Sequence, residues 1–194
     1  RPVVFFINLQ SISDWPLYTL PTLAFHEAAP GHLFDIALQL EAGELPLYRR
    51  TWFFNGFREG WGLYAEQVAD ELGMYDDDPT GKIGYLQSHL FRAARLVVDT
   101  GIHSRGWDRE RAIDYLTEHS SMTRDGAAKE VDRYIVMPAQ ACSYMIGHTT
   151  FTRLRDEASK RPGFDLRAFH DFVLQGGAMP LTVLERRLKS WPSA

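Results

Sequence analysis

Two histidines with a glutamate beside the first carry the earliest chemical signal in this chain. The segment "FHEAAPGH" sets His26 and His32 six positions apart, with Glu27 next to His26. Zinc is bound in proteins by imidazole, carboxylate and thiolate. The spacing His-Glu-x-x-His serves it because four helical positions put both rings on one face. Six positions rotate by about 240° at 3.6 residues per turn, which on a regular helix points the rings apart. The residues between them, Ala28-Ala29-Pro30-Gly31, answer part of that difficulty. Pro30 stands four after His26, so it cannot donate to the His26 carbonyl and its ring clashes there. Gly31 accepts backbone angles that other residues avoid. A break at Pro30-Gly31 would swing His32 back beside His26. The alternative is a helix end carrying two surface histidines. If His26 is a ligand, Glu27 falls where a hydrolytic zinc site needs its general base.

A catalytic zinc site takes three protein ligands and leaves the fourth position open. "REGWGLYAE" offers Glu59 and Glu66, seven apart and therefore on one helix face, with Trp61 and Tyr64 interleaved. Acids among buried aromatics are unusual unless they are paired or bind metal. The alternative is an amphipathic helix with solvated glutamates. The lone Cys142 excludes an internal disulfide and a cysteine-rich zinc site, so any metal rests on His and carboxylate.

The elements that must hold these residues read as helices. Only Val3–Leu9, "VVFFINL", has the β-branched and aromatic character of a strand. An apolar run from Thr19 reaches Ala29, and helical spacing resumes over "HLFDIALQLEAG" and stops at Gly43. The next helix is expected from a cap at Asn55 to Gly73, and another from Asp78-Pro79, a cap followed by proline at the first helical position. On the latter, Ile83, Leu86, Leu90, Ala93/Ala94 and Val97 keep the spacing of a packed stripe. Shorter helices follow at Asp108–Glu118 and Thr123–Ile135. A long one runs from Pro138 to about Lys160, then come "DLRAFHDFVLQGG" and "PLTVLERRL". The expectation is one mainly α domain, 1–194, with at most a short N-terminal strand.

Composition narrows the function. The 194 residues suffice for one domain with a sizeable core. With 45% hydrophobic residues and a net charge of −4, the chain has no basic footprint for nucleic acid or anionic membrane, and no apolar run long enough for a membrane span. It opens "RPVVFFINLQ" without Met or signal peptide, which suggests a piece of a longer protein and leaves both cytoplasm and cell envelope open.

"FHEAAPGH", "REGWGLYAE", "VVDTGIH", "VDRYIVMPAQACSYMIG" and "FHDFVLQGGAMPL", in that order, resemble a bacterial family catalogued as a domain of unknown function and grouped with the gluzincin zinc metallopeptidases. The resemblance runs from about Thr19 to Leu188. It implies a helical fold like those of thimet oligopeptidase and the thermostable carboxypeptidases, and identifies the chain with the C-terminal part of such a protein. Those enzymes carry a ligand glutamate about 25 residues after the histidine motif and a second glutamate seven further on, as Glu59 and Glu66 are placed here. By that likeness His26, His32 and Glu59 are ligands of Zn2+, Glu27 is the general base, and Glu66 is an acid behind the ligands. Leu63 stands where thermolysin-type enzymes have an aspartate, which puts the chain nearer the oligopeptidase branch.

A peptidase also needs a donor to the oxyanion of its tetrahedral intermediate. Tyr144 is the first candidate and His170 the second, because such relatives use a Tyr or His from the C-terminal helices. His103, Arg133 and Tyr134 are further candidates for substrate or supporting contacts, and Arg133 suits a substrate carboxylate through its planar fork. His89, His119 and His148 read as ordinary helix or surface residues. The expected activity is zinc-dependent hydrolysis of peptides, with self-association or docking to a missing N-terminal part as a further expectation. The rivals are a non-catalytic helical module without metal and a di-metal carboxylate bundle. The second would want Glu-x-x-His pairs, which this sequence lacks.

Overall fold

The structure, a computed structural model, describes residues 4, 6, 16–41, 43 and 45–191. After a 3-10 turn at Leu17–Thr19, the described residues form ten α-helices and no strand: α1 (Leu20–Glu27), α2 (His32–Glu41), α3 (Leu47–Thr51), α4 (Asn55–Glu71), α5 (Pro79–Arg105), α6 (Arg109–His119), α7 (Arg124–Val136), α8 (Ser143–Ser159), α9 (Leu166–Gln175) and α10 (Leu181–Lys189). The domain is mainly α. The strand expected over Val3–Leu9 lies almost wholly outside the described residues.

Local chemistry sets four of the helix starts. The Asp78 carboxylate accepts the Gly81 amide at 2.9 Å, and Pro79 occupies the first turn, where its missing N–H costs nothing. Asp108, Thr123 and Asp165 cap α6, α7 and α9 in the same way. Two expected boundaries shift. Asn55 is the first helical residue rather than the cap, which is Phe54. The helix expected from Pro138 begins at Ser143, because Ala139 is left-handed at φ 66° and residues around it form turns. α3 carries no signal in the sequence.

Two cores result. One gathers Phe57, Trp61 and Tyr64 of α4 with Phe151 and Leu154 of α8, Phe169 and Val173 of α9, and Leu184 of α10. The other joins Ala94 and Val98 of α5 to Ile113 and Leu116 of α6 and Val131 and Tyr134 of α7. α4 is the central element, buried from Phe57 to Glu66 and so on every side, with Arg58, Glu59 and Glu66 inside. It runs against α8 with backbone touching backbone: a Cβ on Gly60 would stand 2.4 Å from the Gly147 Cα.

The stripe on α5 is a correction. Ala94 is buried, but Ile83, Leu86, Leu90 and Val97 are 51%, 54%, 51% and 39% exposed. The packed face of α5 is instead Gly81, Gly84, Tyr85, Ala94, Arg95, Val98 and Asp99. Small residues there let α1 and its preceding turn approach closely, the carbonyl of Tyr18 lying where a Cβ on Gly84 would go. Apolar spacing marks one face of α5, whereas closeness of approach selects a neighbouring face of small residues for packing.

Candidate metal centre

The break at Pro30-Gly31 is real and complete: α1 ends at Glu27, α2 starts at His32, and a four-residue turn with a cis Ala29–Pro30 peptide joins them. The indole N–H of Trp61 donates to the Pro30 carbonyl at 2.9 Å and fixes the turn to α4. Gly31 is needed here for space rather than for a left-handed angle, since a Cβ on it would lie 1.8 Å from the His26 carbonyl oxygen. The turn folds back so tightly that the rings of His26 and His32 meet edge to face with centroids 4.7 Å apart. Two helices deliver what one regular helix could not.

Glu59 comes to the pair from α4. Its Oε2 lies 3.4 Å from His32 Nε2 and 3.8 Å from His26 Nε2. One donor atom from each of the three residues falls within 4.8 Å of the others. Two ligand atoms about 2.0–2.1 Å from a tetrahedral zinc stand roughly 3.3 Å apart, so these spacings fit such an ion with small adjustments. The Cα of Gly62 passes beneath both rings, leaving them 2.7 Å and 3.0 Å from where its Cβ would be.

Glu66 holds the other side of His26. The His26 Nδ1–H donates to Glu66 Oε1 at 2.7 Å, while the hydroxyls of Thr22 and Ser88 donate to Oε2 at 2.8 Å and 2.6 Å. This carboxylate is wholly buried and ties α1, α4 and α5 together. Fixing the proton on Nδ1 leaves the Nε2 lone pair for a metal. Burial disfavours the imidazolium of His26, yet Glu59 and Glu66 outweigh it and hold the pKa above its ordinary value. Burial likewise works against the charge on Glu59, but the two histidines prevail and bring its pKa down to about 2. Arg58 binds Asp35 and Gln39 of α2, locking the helix that carries His32 against α4.

The remaining candidates divide into two groups. Tyr144, near the start of α8, stacks on His26 with ring centroids 6.1 Å apart and planes 25° from parallel. Glu27 ends α1 beside His26, half-buried and paired with no described residue. Arg133 reaches the centre indirectly: it donates to Gln140, whose amide lies 3.4 Å from Glu59 Oε1. Tyr134 is buried between Arg95 and Glu130. His103 is exposed, at the end of α5, and donates to the Tyr134 carbonyl at 3.0 Å. His170 belongs to the aromatic core, where its Nε2 accepts from the Tyr64 hydroxyl at 2.8 Å. The structure therefore brings neither His103 nor His170 into the cluster. Sequence reading missed Thr22, Ser88, Gln140, Arg92 and Arg95. None belongs to a recognisable ligand spacing; Thr22 lies one turn before His26 on α1, and the other four come from elements distant in sequence.

His148, read as ordinary, is buried and donates to Gln67 at 2.7 Å. Burial, reinforced by His89 for His148 and by Arg155 for His170, pulls both imidazoles down to about 4. Their unfolded pKa is near 6.5, so between about pH 6.5 and pH 4 the unfolded chain takes up protons that the native chain refuses. Native stability should fall as pH drops through that window. Glu59 acts at lower pH, and His26 acts above 6.5 with opposite sign. Urea unfolding of wild type, His148→Gln and His170→Gln at pH 7 and pH 5 should show a smaller pH effect in each variant.

A cavity of about 350 Å³, lined by Tyr48, Trp52 and Phe54 on one side and Met179, Pro180 and Val183 on the other, shares no residue with the cluster. The functional reading accordingly rests on the cluster.

The bacterial family of unknown function DUF885 matches residues 1–188. No curated protein matches the sequence. Among solved structures, the chain is similar to a "putative lipoprotein" from Colwellia psychrerythraea, with 48% identity and a TM-score of 0.92 over 95% of this chain and 32% of that one. It is also similar to a "putative lipoprotein of unknown function" from Shewanella oneidensis, with 25% identity and a TM-score of 0.85 over 97% of this chain and 35% of that one. The chain thus spans about a third of the length of these structures. No helix among its described residues is long and apolar enough to cross a membrane.

Proposed function

The chain belongs to the bacterial DUF885 family, and from its buried metal-ligand cluster we propose that it is the zinc-binding part of a gluzincin-like peptidase that hydrolyses peptide bonds. The observation that carries this reading is the convergence of His26, His32 and Glu59 from three different helices, with Glu66 locking the tautomer of His26. A buried imidazole and a partly buried one against a buried carboxylate, backed by the wholly buried Glu66, are costly to assemble unless they hold a cation. Three protein ligands fit a hydrolytic zinc with an open position better than a structural one, which takes four.

His26, His32 and Glu59 would hold the ion. When bound, zinc supplies Lewis acidity, polarising a substrate carbonyl and making water acidic near neutral pH. The chain's own residues do the rest. Glu27 takes the proton of the attacking water and hands it to the leaving amine. Tyr144, whose ring stacks on His26, offers its hydroxyl to the oxygen that becomes negative as the carbonyl is attacked. Gln140 and Arg133 keep Glu59 in place from behind. The exposed apolar stripe on α5 supports a further part of this reading, that the domain docks against more protein or a second copy.

Elemental analysis tests the premise. Wild-type chain purified with zinc supplied should hold close to one ion, and His32→Ala and Glu59→Ala should hold almost none. A wild type that takes up no zinc would overturn the reading and favour a non-catalytic helical module.

A further inference from the structure

Beside the cluster lies an excess of positive charge that the proposed chemistry does not use. Arg92 and Arg95, on adjacent turns of α5, place their guanidinium carbons 5.7 Å and 4.7 Å from the centre of the Tyr144 ring, the same ring that stacks on His26. Arg95 is 6% exposed. It spends Nε on the Tyr134 hydroxyl and Nη2 on Glu130, and its buried Nη1 has no partner among the described residues. Arg92 forms no ion pair with a described residue. Its one hydrogen bond among the described residues is a 3.5 Å contact to the Ser88 carbonyl, and its buried Nε also has no partner among them.

Charge accounting sharpens the point. Among the described residues Glu130 is the one acid bonded to this group, and its Oε2 already accepts from Arg95, Arg133 and Tyr134. Glu66 is spent on His26, Thr22 and Ser88. Three guanidiniums, those of Arg92, Arg95 and Arg133, therefore share one carboxylate. Buried or half-buried arginines with free N–H groups are expensive, and an arriving carboxylate would satisfy both their charge and their hydrogen bonds.

We propose that Arg92 and Arg95, with Tyr144 packed against both, form a subsite for a carboxylate of the substrate, and that this carboxylate is the peptide's C-terminus. This rests on the peptidase reading and deepens it. The Tyr144 ring lies 6.1 Å from that of His26 and 5.7 Å and 4.7 Å from the two guanidinium carbons, so the gap to His26 is short enough for roughly one to three residues of extended chain at about 3.5 Å each to span it. The scissile bond then lies close to the end of the chain, so the activity is that of a C-terminal exopeptidase rather than an enzyme cutting in mid-sequence.

Binding tests this without relying on turnover. Three probes are titrated by calorimetry into the chain, zinc-loaded and zinc-free: acetyl-Ala-Ala-Ala as the free acid, the same peptide as its amide, and acetyl-Ala-Ala-Glu amide. The free acid should bind about tenfold or more tightly than its amide, as expected for a lost charged hydrogen bond. That preference should persist without zinc and shrink in Arg92→Gln. Arg95→Gln should act likewise, but Arg92 is the cleaner variant because its change leaves the Glu130 network intact. Equal binding of acid and amide, or a preference untouched in Arg92→Gln, overturns the subsite. If the Glu-amide peptide matches the free acid, the C-terminal assignment is overturned and the carboxylate is that of an acidic side chain. The zinc-free titration separates this inference from the metal reading: a chain that takes up no zinc yet prefers the acid would sink the peptidase and keep the subsite.

Discussion

Glu27→Gln should lower kcat for peptide hydrolysis by about 10²–10⁴-fold, the usual contribution of a positioned general base, and leave zinc content unchanged. The substitution keeps the shape of the side chain and removes its ability to accept and return a proton. Glu27 closes α1 immediately after the ligand His26 and pairs with no described residue, so its loss disturbs no ion pair. The measurement is kcat and zinc stoichiometry on the same preparation. Loss of both together would assign Glu27 to holding the site. Retention of full activity would remove it from the chemistry.

Glu66→Ala should have the largest combined effect. It removes a fully buried carboxylate and leaves His26 Nδ1, Thr22 and Ser88 without their acceptor. Breaking one partner out of a buried charged network costs about 3–5 kcal/mol, and losing the group that orients a metal-bound histidine typically lowers affinity about 10–100-fold. Chemical unfolding and competition with a zinc chelator read the two effects separately. Glu66→Gln retains the volume and one acceptor oxygen, so it should recover much of the stability and less of the affinity. A Glu66→Ala chain with wild-type stability and zinc affinity would show that this carboxylate supports neither.

The parts of this site legible in the sequence are those that obey a period or a local rule. Pro30 four after His26 announced a break, and the break is there. The seven-residue spacing of Glu59 and Glu66 put both on the face of α4 that meets His26, one at each side of its ring. The caps at Asp78, Asp108 and Thr123 marked helix starts within a residue. What stayed hidden depends on distance in space without a pattern in sequence. Ser88 and Thr22 look like any helical hydroxyl until α1, α4 and α5 are packed. Tyr144 is the first candidate and His170 the second as oxyanion donor in the sequence, and packing sets them far apart in surroundings: one ring lies on His26 and the other among Trp61, Tyr64 and Phe169. The stripe on α5 failed because the face that packs is built of small residues with Tyr85, Arg95 and Asp99 among them, and apolar periodicity does not mark such a face.

The meeting of Gly60 with Gly147 sets a mechanical tolerance for the whole centre. Glu59 precedes the first glycine by one residue, and Tyr144 precedes the second by three. The spacing between a metal ligand and the hydroxyl proposed to steady the oxyanion is thereby gauged by two backbones in direct contact. A contact between side chains can relax by changing rotamers. This one has no rotamers, so α4 and α8 cannot drift apart or slide without losing it outright. Displacements on the order of 1 Å can alter rates about 10²-fold. A joint made of hydrogen atoms alone keeps the two groups within that margin while spending no side chain on the task.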